Sequence, residues 1–194
     1  SLHDALPISG ILVDNARRLS TLIEDLLNFN RLLARTQQLE AGSVTLAALV
    51  GEVAGAHRLA AQARCVTLEV DVPDGLLVQA DRDKLRTILD NLLSNALKFA
   101  RRDGRIALRA GRYPGGVAVE VEDDGPGIPA EERERVFELF FQGSHQPDTP
   151  VRGSGLGLAL AREFARLHGG DLIVADGRGS GACLCLTLPA TAPP

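Results

Sequence analysis

The run from Asp81 to Ala100, DRDKLRTILDNLLSNALKFA, limits the available folds more than any other part of the chain. Leu89, Leu92, Leu93 and Leu97 recur at helical spacing and make one apolar side. Asp81 stands where a helix cap belongs. Asn91, Asn95 and Lys98 fall at i, i+4 and i+7, so they share a second face. Such a helix must lay its leucines on another layer and leave two carboxamides and an ammonium in line. That line can supply a metal ligand, a water-holding partner and a phosphate contact, or it can be an ordinary solvated face.

The neighbouring segments supply the layer. CVTLEVDV and GLLVQA read as strands before this helix, and GRIALRAGR with GGVAVEVEDDG as a hairpin-like pair after it. VTLAALVGEVAGAHRLAAQAR reads as a helix, PAEERERVFELF as a short one and GLGLALAREFARLHGG as a longer one. DLIVAD and ACLCLTLP close the chain as strands. Strands in adjacent pairs with helices between the pairs predict an α+β fold: a two-layer α/β sandwich with a mixed, mostly antiparallel sheet and helices on one face.

Upstream, Leu12, Ala16, Leu19, Ile23, Leu26, Asn30 and Leu33 follow steps of four and three, a heptad seam with one polar break. This predicts one long coiled-coil-like helix from a dimeric bundle, stopped at Ala41 and Gly42. A length of 194 residues holds one well-cored domain plus such an appendage. The expected division is a leader over 1–10, the helix over 11–42, a domain over 44–190 and a frayed tail over 191–194.

Composition removes several function classes. A net charge of −4 leaves no basic footprint for nucleic acid. No apolar run approaches the roughly 20 residues that span a bilayer, and no signal peptide is visible. Cys65, Cys183 and Cys185 are too few and badly spaced for a zinc site. Cys183 and Cys185 alternate on one strand face and read as small core residues.

Three further motifs carry chemistry. In VEDDGPGIP, a strand delivers Asp123 and Asp124 into a turn with Gly125, Pro126, Gly127 and Pro129. A carboxylate at a strand end can accept from an exocyclic amine, and the glycines let backbone approach a flat ring; a plain turn is the alternative. Calcium is disfavoured, because glycine and proline replace the oxygen ligands it needs. VFELFF holds Phe137, Phe140 and Phe141, in part core plugs, and leads into a polar loop of about a dozen residues, a length typical of lids. GSGLGLALARE places Gly153, Gly155 and Gly157 ahead of a helix, where backbone N–H groups and the helix dipole favour phosphate. It is neither a dinucleotide fingerprint nor a P-loop, since no βαβ unit surrounds it and GK[ST] is missing.

In order, N-x-x-x-N-A-x-K, D-x-G-x-G, F-x-x-F-F and G-x-G-L-G-L resemble the ATP-binding catalytic domain of sensor histidine kinases, over roughly Leu46 to Pro189. That domain shares its superfamily, with its Bergerat-type fold, with gyrase, the heat-shock chaperone ATPases and mismatch-repair ATPases. RLSTLIEDLLNFNRL is similar to the second helix of the kinases' dimerisation and phosphotransfer hairpin. The resemblance implies ATP and Mg²⁺ as cofactors, with Asn95 on the metal, Asn91 supporting it and Lys98 on phosphate. Asp123 would accept the adenine amino group, with Gly125 and Gly127 shaping the pocket. The lid would be hinged on Gly153, Gly155 and Gly157, and Gly179 and Gly181 match the last glycine box. Phe140 and Leu156 belong to the implied nucleotide set. Gln142 stands where many relatives carry a basic residue, with Arg152 as the nearest substitute.

The implied activity is that of a protein-histidine kinase: the γ-phosphoryl group passes to a histidine, then to an Asp on a response-regulator receiver domain. Asn91 separates this from hydrolysis, because a carboxamide cannot act as general base where hydrolysing relatives carry Glu. A noncatalytic nucleotide-sensing module and a hydrolysing ATPase are the alternatives. His3 in SLHDALPISG is a decoy for the phosphoacceptor: Pro7 follows at four positions rather than five, and the first hairpin helix has no room before Ile11. SLHDALPIS is similar to a translated sequencing adapter, so we expect a non-native leader on a fragment of a longer chain. The parent protein is expected to be a homodimer anchored in the cell membrane through upstream segments, with this part cytoplasmic.

Overall fold

A computed structural model of the chain describes residues 38–145 and 154–190, together with helical residues 19, 20, 23, 26 and 27. The chain divides into two compact units, Ser1–Gln37 and Gln38–Pro194. In the first, the seam residues Leu19, Ile23 and Leu26 are helical and exposed; the rest of the expected seam, His3, and the ends of the chain lie outside the described residues.

The second unit begins with strand β1 (Ala41–Thr45) and helix α1 (Leu46–Ala63). Strands β2 (Thr67–Asp71) and β3 (Leu77–Asp81) lead to helix α2 (Arg82–Phe99). Strands β4 (Arg105–Tyr113) and β5 (Gly116–Asp123) form the expected hairpin. Helix α3 (Gly157–Leu167) and strands β6 (Asp171–Ala175) and β7 (Cys183–Pro189) complete it. The main sheet has five strands in the order β2-β4-β5-β7-β6. Only β2 and β4 run parallel; the other pairs are antiparallel. Among the described residues, no helix is long and apolar enough to cross a membrane.

Period-two alternation decides which side of the sheet is dry. Val117, Val119 and Val121 of β5, Leu184, Leu186 and Leu188 of β7, and Ile106 and Leu108 of β4 are all buried. They meet Leu85, Leu89, Leu92 and Leu93 of α2 and Leu160 and Phe164 of α3, which are buried as well. The leucine side expected of α2 is therefore the face that carries it on the sheet, and Asn91, Asn95 and Lys98 stay half-buried away from it.

Three expectations are corrected. The segment 41–45 neither ends a helix nor begins one: it is β1, paired antiparallel with β3 in a separate two-stranded ribbon. GLLVQA is accordingly part of that ribbon and not of the main sheet. PAEERERVFELF forms two 3₁₀ turns, Ala130–Glu132 and Arg135–Phe137, in place of a short helix. Its apolar residues crowd at one end, so no continuous stripe exists for a helix to bury.

Asp81 caps α2 as expected, accepting from Lys84 N at 3.1 Å. It also accepts from the Glu40 amide at 3.1 Å, at the entrance to β1. Its own amide donates at 3.0 Å to Nε2 of His168, a residue 1% exposed just beyond α3, whose Nδ1 donates to the Phe164 carbonyl at 2.7 Å. One imidazole thus ties the start of α2 to the end of α3. His168→Ala takes the imidazole acceptor from the buried Asp81 amide and opens a cavity, while Phe164 O keeps the residue-168 amide at 3.3 Å, and is expected to destabilise the domain by about 2–4 kcal/mol. Equilibrium urea denaturation measures it; a loss below about 0.5 kcal/mol would remove His168 from the framework.

Candidate functional site

The same alternation that dries the sheet places the site. Asp123 falls in phase with Val117, Val119 and Val121, so β5 delivers it toward the helices, while Glu120 and Glu122 face the other way. Asp123 is 6% exposed. Its Oδ1 accepts from Gly125 N at 2.8 Å and Ala182 N at 3.3 Å. No hydrogen bond reaches its Oδ2 among the described residues. Burial is the main influence on this carboxyl and outweighs the two amides, pushing it from 3.8 up to about 6. A buried acceptor with one free oxygen beside a glycine turn can receive an N–H donor from a flat heterocycle.

The glycines of this turn answer specific contacts. A Cβ on Gly125 would lie 2.4 Å from Phe99 O, and one on Gly181 would lie 1.8 Å from Asp123 O. Gly127 has φ +79°, in the left-handed region, with its Cβ position 3.3 Å from Ser180 O. Gly179 N donates to Glu122 Oε1 at 2.8 Å, and Arg109 Nη1 donates to Glu122 Oε2 at 2.6 Å, so the outward carboxylate of β5 secures the β6–β7 loop. Asp124 accepts from Arg101 N at 3.0 Å and Arg105 N at 3.1 Å, fixing the loop after α2.

Helices α2 and α3 meet at the expected polar face. A Cβ on Gly157 would sit 2.7 Å from Asn91 Oδ1, so the first residue of α3 lies directly against that carboxamide. Leu156 is buried, and its amide donates to Ser154 Oγ at 3.2 Å. Gly155 has φ +71°, with its Cβ position 2.6 Å from the carbonyl carbon of Phe140. Phe140 is 63% exposed and has φ +62°, a conformation a bulky residue adopts only under constraint. Its amide donates to Gly155 O at 2.9 Å, joining the two flanks of the intervening segment. Arg152 and Gly153, with most of the expected lid, lie outside the described residues. Phe137 is buried and Phe141 half-buried, each under an arginine, Arg162 at 4.6 Å and Arg135 at 4.5 Å from the ring centres.

The structure thus brings Asn91 and Gly157 together, Gly155 against Phe140, and Lys98 one residue before the carbonyl that faces Gly125. A cleft of about 360 Å³ beside the turn is lined by Gly127, Ile128, Gly181 and Ala182, together with Arg133 and His145. Asn91, Asn95 and Asp123 do not line it. Among the described residues, no group of His, Cys, Asp or Glu could cage a metal by itself. Cys183 is buried, which pushes its thiol up to about 12, and all three cysteines are free. Sequence reasoning missed Arg64 and His168, which reach α2 and Asp81 across 34 and 87 residues, and Arg162, which pairs with Asp171 and Glu134; none belongs to a recognisable local pattern.

Comparison with known proteins puts these features in a family. Residues 80–192 match the family model described as histidine kinase-, DNA gyrase B- and HSP90-like ATPase. The chain is 40% identical over 184 residues to the sensor histidine kinase QseE of Escherichia coli O157:H7, covering 95% of this chain and 38% of that one. It therefore spans well under half the length of that relative. Among solved structures, the nucleotide-free catalytic domain of histidine kinase ThkA matches with TM-score 0.70 and 28% identity, over 78% of this chain and 97% of that one. Full-length ShkA in complex with AMPPNP matches with TM-score 0.76 and 30% identity, over 93% of this chain and 38% of that one.

The raised carboxyl has a stability consequence. Its folded value lies above its unfolded one, so its contribution is full below about pH 4 and is lost as pH rises through about 6. Asp123→Asn keeps an acceptor for Gly125 N without the buried charge. It is expected to match wild-type stability near pH 4 and exceed it by about 2–3 kcal/mol at pH 7.5. Denaturation curves of both proteins across that range test this; a mutant less stable at pH 7.5 would contradict it.

Proposed function

The chain belongs to the histidine kinase-, DNA gyrase B- and HSP90-like ATPase family and carries the ATP-binding catalytic domain of a sensor histidine kinase; on that premise we propose how its residues act and what the intact protein does. Asp123 Oδ2 accepts from the adenine amino group, with the Gly125–Gly127 turn against the ring. The observation that carries this is the buried carboxylate with Oδ1 tied to two amides and Oδ2 left over. Lys98 contacts phosphate, and the amides from Gly155 into α3, with the positive end of that helix, meet the phosphate chain. Phe140, Leu156 and Gly181 border the nucleotide, and Arg152 and Gly153 complete the lid side.

Asn95 holds Mg²⁺, with Asn91 beside it. Hard oxygen ligands suit this ion, and the Asn95 carboxamide oxygen would supply one. When bound, Mg²⁺ neutralises charge on the transferring phosphoryl group. The chain's own work is to position the nucleotide and keep its γ-phosphoryl intact, because no carboxylate stands at Asn91 to activate water.

In the whole protein, a homodimer, the γ-phosphoryl group goes to a histidine on the dimerisation hairpin and then to a response-regulator aspartate. The phosphoacceptor lies outside 38–190, in a membrane-anchored parent whose kinase part faces the cytoplasm. A hairpin helix that starts near 11 and ends before β1 at Ala41, with a domain that runs on to about 190, accompanies this reading.

Calorimetric titration of the chain with ATP and Mg²⁺ tests the site. Wild type is expected to bind, and Asp123→Ala and Asn95→Ala each to lose at least about tenfold in affinity, the cost of one charged or metal-linked contact. Incubation without an acceptor is expected to release no steady ADP, while a supplied hairpin bearing the histidine becomes phosphorylated. Steady ADP release would favour hydrolysis, and binding without transfer the sensing module.

A further inference from the structure

Arg64, the residue closing α1, reaches across to the far end of α2. Its Nη1 donates to the carbonyls of Leu97 and Lys98, the latter at 3.0 Å, and its Nη2 to the Ala100 carbonyl at 2.7 Å. The last carbonyls of a helix have no partners within it. Ala96 O is taken by the Ala100 amide at 2.8 Å, and one planar cation answers three of those that follow. The guanidinium also lies at the negative end of the helix dipole. The main chain of Arg64 joins in, its carbonyl accepting from Asp103 N at 3.2 Å in the next loop.

This turn of α2 is the part of the helix closest to two site elements. Lys98 belongs to it, and Phe99 O is the atom that a Cβ on Gly125 would strike at 2.4 Å. The Asp123–Gly125 turn has its own tether to the residue just before β7, through Asp123 N to Ala182 O at 2.9 Å and Ala182 N to Oδ1. Asp124 holds the loop beyond the turn through the Arg101 amide at 3.0 Å, so loss of the arginine frees the Leu97, Lys98 and Ala100 carbonyls and loosens the Lys98 turn, while the Asp123 side stays in place.

We infer that Arg64 is a positioning residue for the phosphate end of the site: it holds the last turn of α2 so that Lys98 keeps a fixed place relative to Asn91 and Asn95. The inference rests on the proposed nucleotide role of that face. A cap that only stabilised the fold would affect all ligands alike. A positioning role acts on ligands with phosphates, because adenosine makes no use of Lys98.

The test is calorimetry on the 194-residue chain with ATP and Mg²⁺, and separately with adenosine, for wild type, Arg64→Gln, Arg64→Lys, Lys98→Ala and the Arg64→Gln/Lys98→Ala pair. Arg64→Gln is expected to weaken ATP about tenfold while adenosine stays within about twofold, and Arg64→Lys to fall between it and wild type. The double variant is expected to bind ATP no more weakly than Lys98→Ala alone. Equal losses for ATP and adenosine, or additive losses in the double variant, would overturn the inference and leave the nucleotide site standing. Lys98→Ala binding ATP like wild type would overturn the phosphate role of the turn and this inference with it. Circular dichroism checks each fold, and should Arg64→Gln not fold, the Arg64→Lys ratio of ATP to adenosine affinity decides.

Discussion

Helix α2 must be dry on one side and open on the other, and everything around the site follows from how it is held. Its leucine face alone would fix its distance from the sheet and leave it free to slide and rotate. The ends remove that freedom. At the start, Asp81 gathers the amides of Lys84 and Glu40 and the Lys84 ammonium at 2.5 Å. Burial opposes its charge, but the Lys84 side chain and the two amides outweigh that and hold its carboxyl below the ordinary range. At the finish, Arg64 binds three carbonyls. Two charged groups of opposite sign, each complementary to the dipole end it meets, thus pin the helix axially.

Asp81 and Asp123 are both buried acids at strand ends, and they have opposite electrostatic outcomes. Asp81 has an ammonium against it, and its charge serves the fold. Asp123 is raised chiefly by burial, which its two amides do not offset, with Asp124 and Glu122 adding repulsion. Nothing in the fold gains from that charge, since an amide side chain could accept the same Gly125 hydrogen bond. A group held at a cost by its surroundings, with an oxygen to spare, marks a place shaped for a ligand more than for the empty domain.

The elements legible in the sequence were those with a periodic contrast of their own. Alternation in β5 and the leucine stripe of α2 are local patterns, and both appear where the spacing places them. Alternation also separates Asp123 from Asp124: only the former is in phase with the valines. β1 was illegible because AGSVT has no alternation to display, and its identity as a strand depends on β3, which pairs Ala41 with Asp81. The 3₁₀ turns were misread as a helix because charge and propensity in PAEERER resemble a helix start, while Phe137 is drawn under Arg162 of α3. Arg64 and His168 could not be found by pattern at all, since their partners lie 34 and 87 residues away.

The contact between Asn91 and Gly157 joins the two halves of the site and bears on its chemistry. The carboxamide oxygen lies where a side chain on residue 157 would have to begin, so the glycine is required for α3 to start this close to α2. The approach brings the first amides of α3 beside the Asn91–Asn95 face, which neither helix could achieve through a longer side chain at the crossing. A carboxylate at 91 would face the positive end of α3 at close range and would be drawn toward its amides, in competition with any phosphate bound there. In the proposed reading, the neutral carboxamide leaves that end of the helix to the nucleotide and offers water no base. On that same reading, the close crossing and the retention of an intact γ-phosphoryl group then share one cause: a small, uncharged pair of residues where the two helices meet.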